Sequence, residues 1–136
     1  MKRFSIVSAV VAAGAMVLSI MPAQAADPGV TATEIKLGVS TPLTGSAGLA
    51  YGKVPGAMKA YFDYINANGG VYGRKIKLVV RDDKYLPTLA ATQTTNLILK
   101  DNVFALVGAL GTATHSKAYT AASLAAKNVP DLFVNT

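Results

Sequence analysis

The chain of 136 residues has no cysteine and no tryptophan, and a single histidine, His115. Without cysteine there is no disulfide framework, no thiolate metal site and no cysteine nucleophile. One histidine excludes a multi-histidine metal site and makes a Ser/His/Asp triad a poor fit. Charge is also scarce, at 15% of residues against 51% hydrophobic, and that balance excludes a disordered chain. At this length one domain is the expectation. Acidic residues are the scarcer sign, 7 against 13 Lys+Arg, for a formal net charge of +6. The basic residues are scattered except for Arg74, Lys75, Lys77, Arg81 and Lys84, which Asp82 and Asp83 partly neutralise. That group lacks interleaved aromatics, so no nucleic-acid partner is expected.

The apolar excess sits at one end. Lys2 and Arg3 precede an uncharged stretch, Phe4–Met21, and then Pro22-Ala23-Gln24-Ala25. This pattern predicts a secretory signal over Met1–Ala25 with an A-x-A cleavage site. The stretch is near the length of a membrane span, but Ala, Ser and Gly dilute it. No cysteine adjoins the cleavage point, so a protein released without a lipid anchor into an extracytoplasmic space, the periplasm, is expected. The mature part is then Ala26–Thr136.

Within it, Ile35, Leu37 and Val39 alternate with Lys36 and Gly38, predicting a strand over about Ile35–Ser40. A loop of glycine and small hydroxyl residues follows, Thr41–Gly52. Pro55 suits a first helical turn, and Met58, Tyr61, Phe62 and Ile65 share one helix face. Asn68-Gly69-Gly70 ends that helix. Lys75–Arg81 alternates as a strand with one wet face, at a sheet edge. Pro87 opens a second helix to about Lys100, with Ala90, Thr94, Leu97 and Ile98 on one face. Val103–Val107 is an unbroken apolar strand, Gly108–Thr114 a second Gly/Thr loop, and Ser116–Lys127 an alanine-rich third helix. Leu132-Phe133-Val134 begins a fourth strand.

The order β-α-β-α-β-α-β predicts an α/β fold, a parallel doubly wound sheet with helices on both faces. Right-handed crossovers put every strand's C-terminus on one edge, and ligands bind outside that edge where the strand order reverses. Both loops open there. In the first, glycines spaced at 45, 48 and 52 fit no nucleotide motif but suit close approach to a small anion, or a plain flexible connection. Tyr51 could stack on an apolar substituent or anchor the loop. In the second, Thr112 and Thr114 could cap the helix, touch a ligand, or both. Asp82-Asp83 reads as a charged, solvated strand end, with an Mg²⁺ pocket as the lesser alternative. No nucleophile and base pair off, so no enzyme is expected.

The strings IKLGVSTPLTGSAGLAYG (Ile35–Gly52), YINANGGVYGRKIKLVVRDD (Tyr64–Asp83), ALVGALGTATHSKA (Ala105–Ala118) and VPDLFVNT (Val129–Thr136) together carry a resemblance. The chain resembles the N-terminal part of the periplasmic leucine/branched-chain amino acid-binding proteins of ABC transporters, the type I periplasmic binding fold. The resemblance implies two α/β lobes closing on an amino acid or amide, delivery to an inner-membrane permease, and no cofactor. It implies ligand contacts at Tyr51 and Thr112, with Gly111 and Thr114 flanking. A sensing receptor of the same fold is the alternative. Family members commonly carry a disulfide where Lys84-Tyr85-Leu86 and Gly111 stand here. Family chains are several-fold longer, so the resemblance implies that residues 26–136 hold only the first part of one lobe, ending in the fourth strand.

Overall fold

The computed structural model describes residues 27–136, and the expected signal segment Met1–Ala25 lies outside them. Four strands, β1 (Glu34–Thr41), β2 (Lys75–Asp82), β3 (Ala105–Val107) and β4 (Asp131–Leu132), form one sheet in the order β2-β1-β3-β4. All pairs are parallel. The strand order reverses at β1, because the chain leaves it toward β2 and then returns across it to β3. The edge position expected for Lys75–Arg81 is observed; exposed and half-buried residues alternate over Lys75–Leu78, and the alternation breaks at Val79, leaving Val80 exposed.

Helices α2 (Val54–Ala67) and α3 (Pro87–Leu99) each carry a proline in the first turn, where a missing N–H costs nothing. Past Asn68, Gly69 and Gly70 take positive φ of 98° and 71° and end α2. α2 packs against β2, α3 against β1 and β2, and α4 (Thr112–Ala121) against α3. The core lies under α3 and α4, where Leu97, Val103, Leu106, Ala122 and Leu124 meet. A side chain at Gly38 would strike Leu97 and Val103 at 3.1 Å, so glycine lets α3 settle onto β1. Arg81 on β2 forks onto Asp101 after α3, at 2.7 and 3.0 Å, so one cation of the basic group serves the fold.

Several boundaries differ from expectation. The first loop contains a short helix, α1 (Gly48–Tyr51). The third helix begins at Thr112 rather than Ser116 and ends at Ala121 rather than Lys127. β3 is shorter than Val103–Val107, and β4 is Asp131–Leu132 rather than a strand through Val134, because Phe133 turns to φ 55°. The expected apolar face of α2 is only half covered: Tyr61 is 62% exposed, while Met58, Phe62 and Ile65 are half-buried. No helix of the described residues is long and apolar enough to cross a membrane.

Candidate functional site

Parallel pairing of β1 with both β2 and β3 sends the loops after these strands out of one edge. The first loop is held down by Asp82, the last residue of β2. Its carboxylate accepts the N–H of Leu43 at 3.0 Å and of Thr44 at 3.3 Å, the Thr44 hydroxyl at 2.6 Å and the Lys84 N–H at 2.9 Å. Desolvation pushes this carboxyl up, but those hydrogen bonds outweigh it and hold it below the usual carboxylate range. Asp83 is buried and accepts the Ser40 hydroxyl and the Tyr85 N–H, each at 2.9 Å. Burial raises its carboxyl against these two bonds, and the Asp82 charge adds to the rise.

The acid pair is therefore no solvated strand end, as the sequence suggested, but a clamp that ties β1, β2, the first loop and the turn at Lys84-Tyr85 together. Among the described residues no three His, Asp or Glu side chains gather to hold a metal. The turn after the pair reaches each loop. Gly45 approaches so closely that an added Cβ would stand 2.6 Å from the Lys84 carbonyl. Gly111, with φ 91°, would place a Cβ 2.6 Å from the Tyr85 ring. The turn at Tyr85 and the second loop at Gly111 are thus in contact, with an aromatic ring against a bare backbone.

Gly111 is the N-cap residue of α4, and no side chain caps that helix among the described residues. The expected threonine cap is absent because the Thr114 hydroxyl donates backward, to the Leu110 carbonyl and to that of Gly111 at 2.8 Å. Thr114 is buried and Thr112 is exposed. The N–H groups of Thr112, Ala113 and Thr114 open the helix with no carbonyl ahead of them. Such a start favours an anion, a carboxylate included. His115 of α4 meets Asp131 of β4 at 2.6 Å.

Tyr51 ends α1, 37% exposed, on a groove it shares with Gly108 and Leu110 of the second loop and with Asn135. Asn135 reaches the second loop through its N–H to the Ala109 carbonyl at 2.9 Å, and its carbonyl accepts the Gly111 N–H at 2.8 Å. The structure therefore brings Tyr51 to the second loop at Gly108 and Leu110. Gly111, Thr112 and Thr114 sit on the same edge of the sheet, beside Tyr85 rather than in that groove. Sequence reasoning missed Tyr85 and Asn135. The only signal for Tyr85 was its position two residues after Asp83, within reach of an Asx-type turn.

Residues 34–136 match the profile of a family described as periplasmic binding protein. A protein from Pseudomonas aeruginosa named amino acid binding protein is 40% identical over 77 residues, 55% of this chain and 20% of that protein. The branched-chain amino acid transporter substrate-binding protein of Streptococcus pneumoniae, solved with isoleucine, superposes with TM-score 0.68 at 29% identity, over 76% of this chain and 34% of its own. A fatty acid ABC transporter substrate-binding protein from Thermomonospora curvata gives 0.67 at 34% identity, over 75% and 25%. The chain thus spans about a fifth to a third of the relatives it matches. These relatives bind solutes and are not enzymes, and the family works outside the cytoplasm. On its profile match and its doubly wound parallel sheet, the chain belongs to the periplasmic binding protein family.

Proposed function

We propose that the chain is the amino-terminal part of the ligand-binding lobe of an ABC transporter's solute-binding component. Its solutes are branched-chain amino acids or related amino acids and amides. The observation that carries this reading is the uncapped start of α4 on the same sheet edge as Tyr51, at the point where the strand order reverses. In this reading the first-turn N–H groups of α4 and the Thr112 hydroxyl hold the solute's carboxylate or amide oxygen. Gly111 keeps the approach open, Thr114 shapes the turn and gives its N–H, and Tyr51 covers the apolar substituent. The chemistry is recognition only: no bond is made or broken, and the bound solute passes to a membrane permease. Met1–Ala25 acts as a cleavable leader that delivers the chain to the periplasm.

An amide-resolved NMR titration of the chain with leucine, isoleucine, valine and acetamide tests it. Shifts concentrated at the Thr112, Ala113 and Thr114 amides and the Tyr51 ring are expected. Thr112→Ala should weaken the interaction by about 1 kcal/mol, the worth of an ordinary hydrogen bond. Titrations that leave those signals in place, or move only residues at the opposite edge of the sheet, reject the reading.

A further inference from the structure

The string NANGGVYGRKI, Asn66–Ile76, joins α2 to β2, and the proposed solute site makes no use of it. Its turn is tight. Gly69, Gly70 and Gly73 take positive φ, and Val71 and Arg74 exchange backbone hydrogen bonds at 2.8 and 3.0 Å. A Cβ on Gly70 would strike the Arg74 carbonyl, so glycine lets the chain double back there. The last turn of α2 thereby comes to rest against the start of β2, with Asn66 beside Ile76.

β2 is an edge strand of the sheet among the described residues. Its Lys75 N–H donates toward β1, to the Thr33 carbonyl at 2.8 Å. The strand's period of two then turns the N–H and C=O of Ile76, Leu78 and Val80 outward. At Ile76 both groups are taken. The Asn66 side-chain carbonyl accepts the Ile76 N–H at 2.7 Å, and the Asn66 amide nitrogen donates to the Ile76 carbonyl at 2.8 Å. A side-chain amide offers the same donor and acceptor as a peptide group, so Asn66 stands where a further strand would begin. Leu78 and Val80 meet no such partner among the described residues.

An open edge is a template for strands of other chains. We propose that Asn66 closes the outer edge of β2 to strand addition by a second copy of the chain, acting with the exposed charges of Lys75 and Lys77. Two copies pairing antiparallel through β2 must set outward residues against outward residues. In the longest registers of that kind, Lys75 or Lys77 lies opposite Arg81 of the other copy, and like charges across a pair repel. Both lysines are exposed. The amide adds what charge alone does not. It takes the first outward residue of the edge and leaves an incoming strand only Leu78 and Val80 before Asp82, which holds the first loop.

Amide hydrogen exchange and sedimentation of the chain and its variants, at low and high concentration, test this. In the unaltered chain the Ile76 N–H should exchange about threefold to tenfold more slowly than the Leu78 N–H, the ratio given by one ordinary hydrogen bond. Lys75→Thr/Lys77→Thr should keep that pattern and the mass of the unaltered chain. Adding Asn66→Ala should slow exchange at Leu78 and Val80 as concentration rises, with a doubled mass. A further Val80→Lys should reverse both changes. Three results overturn the proposal. The first is equal exchange at Ile76 and Leu78 in the unaltered chain. The second is pairing of the lysine double variant as strong as that of the triple variant, which leaves the amide no part. The third is a triple variant that unfolds when dilute, stays unpaired when concentrated, or gains its protection at α2 or β4 instead of β2.

Discussion

The two faces of the sheet are built on the same four strands, yet among the described residues one carries two helices, α3 and α4, and the other α2. On the α3/α4 side, small residues such as Ala90, Ala91, Thr94 and Ala118 let backbones approach, and Leu97, Val103, Leu106 and Leu124 close the core behind them. On the α2 side the large residues are aromatic and look sideways: Tyr51, Tyr61 and Phe62 face a groove rather than a neighbour. The difference teaches that an amphipathic stripe marks where cover is needed, not that cover is present. The same contrast separates the structural from the candidate binding elements. The acid clamp at Asp82-Asp83 is internally satisfied, while the start of α4 and Tyr51 are left open at the rim.

The comparison breaks most decisively in the finished core. Leu97→Ala should cost about 2–5 kcal/mol, the range for a fully buried leucine, read as a lower urea midpoint. Tyr61→Ala on the open face should shift the same midpoint by less than about 1 kcal/mol, because its ring already meets solvent. A Tyr61 effect equal to that of Leu97 would mean the two faces are alike.

Asp83→Ala comes next. It leaves the buried Ser40 hydroxyl and the Tyr85 N–H without their acceptor and should lose about 1–3 kcal/mol in the same assay. Gly111→Ala follows, at about 1–2 kcal/mol, because φ is 91° and the new methyl meets the Tyr85 ring. Circular dichroism at the unfolding midpoint would show it, and a partner change Tyr85→Ala should recover the part due to collision.

The smallest effect is in pH, where the two acids of the clamp have opposite signs. The Asp82 carboxyl is lowered in the fold, so its contribution is present above the unfolded carboxylate value of about 3.9 and is lost as pH falls through its folded value. The Asp83 carboxyl is raised, so the folded state is favoured below about 3.9 and loses that advantage as pH rises through the raised value. Asp82→Asn should flatten the acid limb of the stability curve, and Asp83→Asn the limb above it. Denaturant titrations of both variants across this range check the pair, and identical curves would contradict it.

Much of the fold was legible because its signals are local. Alternation in Lys75–Arg81, prolines at 55 and 87, and Asn68-Gly69-Gly70 each act through backbone and side-chain stereochemistry within a few residues, and the observed elements follow them. The start of α4 was not legible. Thr112-Ala113-Thr114-His115 are, apart from alanine, weak helix formers, yet α4 begins four residues earlier than Ser116, with the Thr114 hydroxyl turned back to the Leu110 and Gly111 carbonyls. The burial of Asp83 was hidden for a similar reason: a lone carboxylate looks solvated until its donors, Ser40 from β1 and the Tyr85 N–H, are known.

By itself, then, the sequence determined the alternation of strands and helices, the parallel sheet, and two glycine-rich loops leaving one edge. Periodicity and chain reversals are written residue by residue, and a βα order admits few topologies. Only the tertiary structure decided that Tyr85 rests on Gly111, that Asp82 and Asp83 clamp the first loop and the turn after β2, and that among the described residues one face of the sheet carries two helices and the other α2. Each of these depends on residues far apart in the chain meeting across the sheet, where distance and burial, not local preference, set the energy.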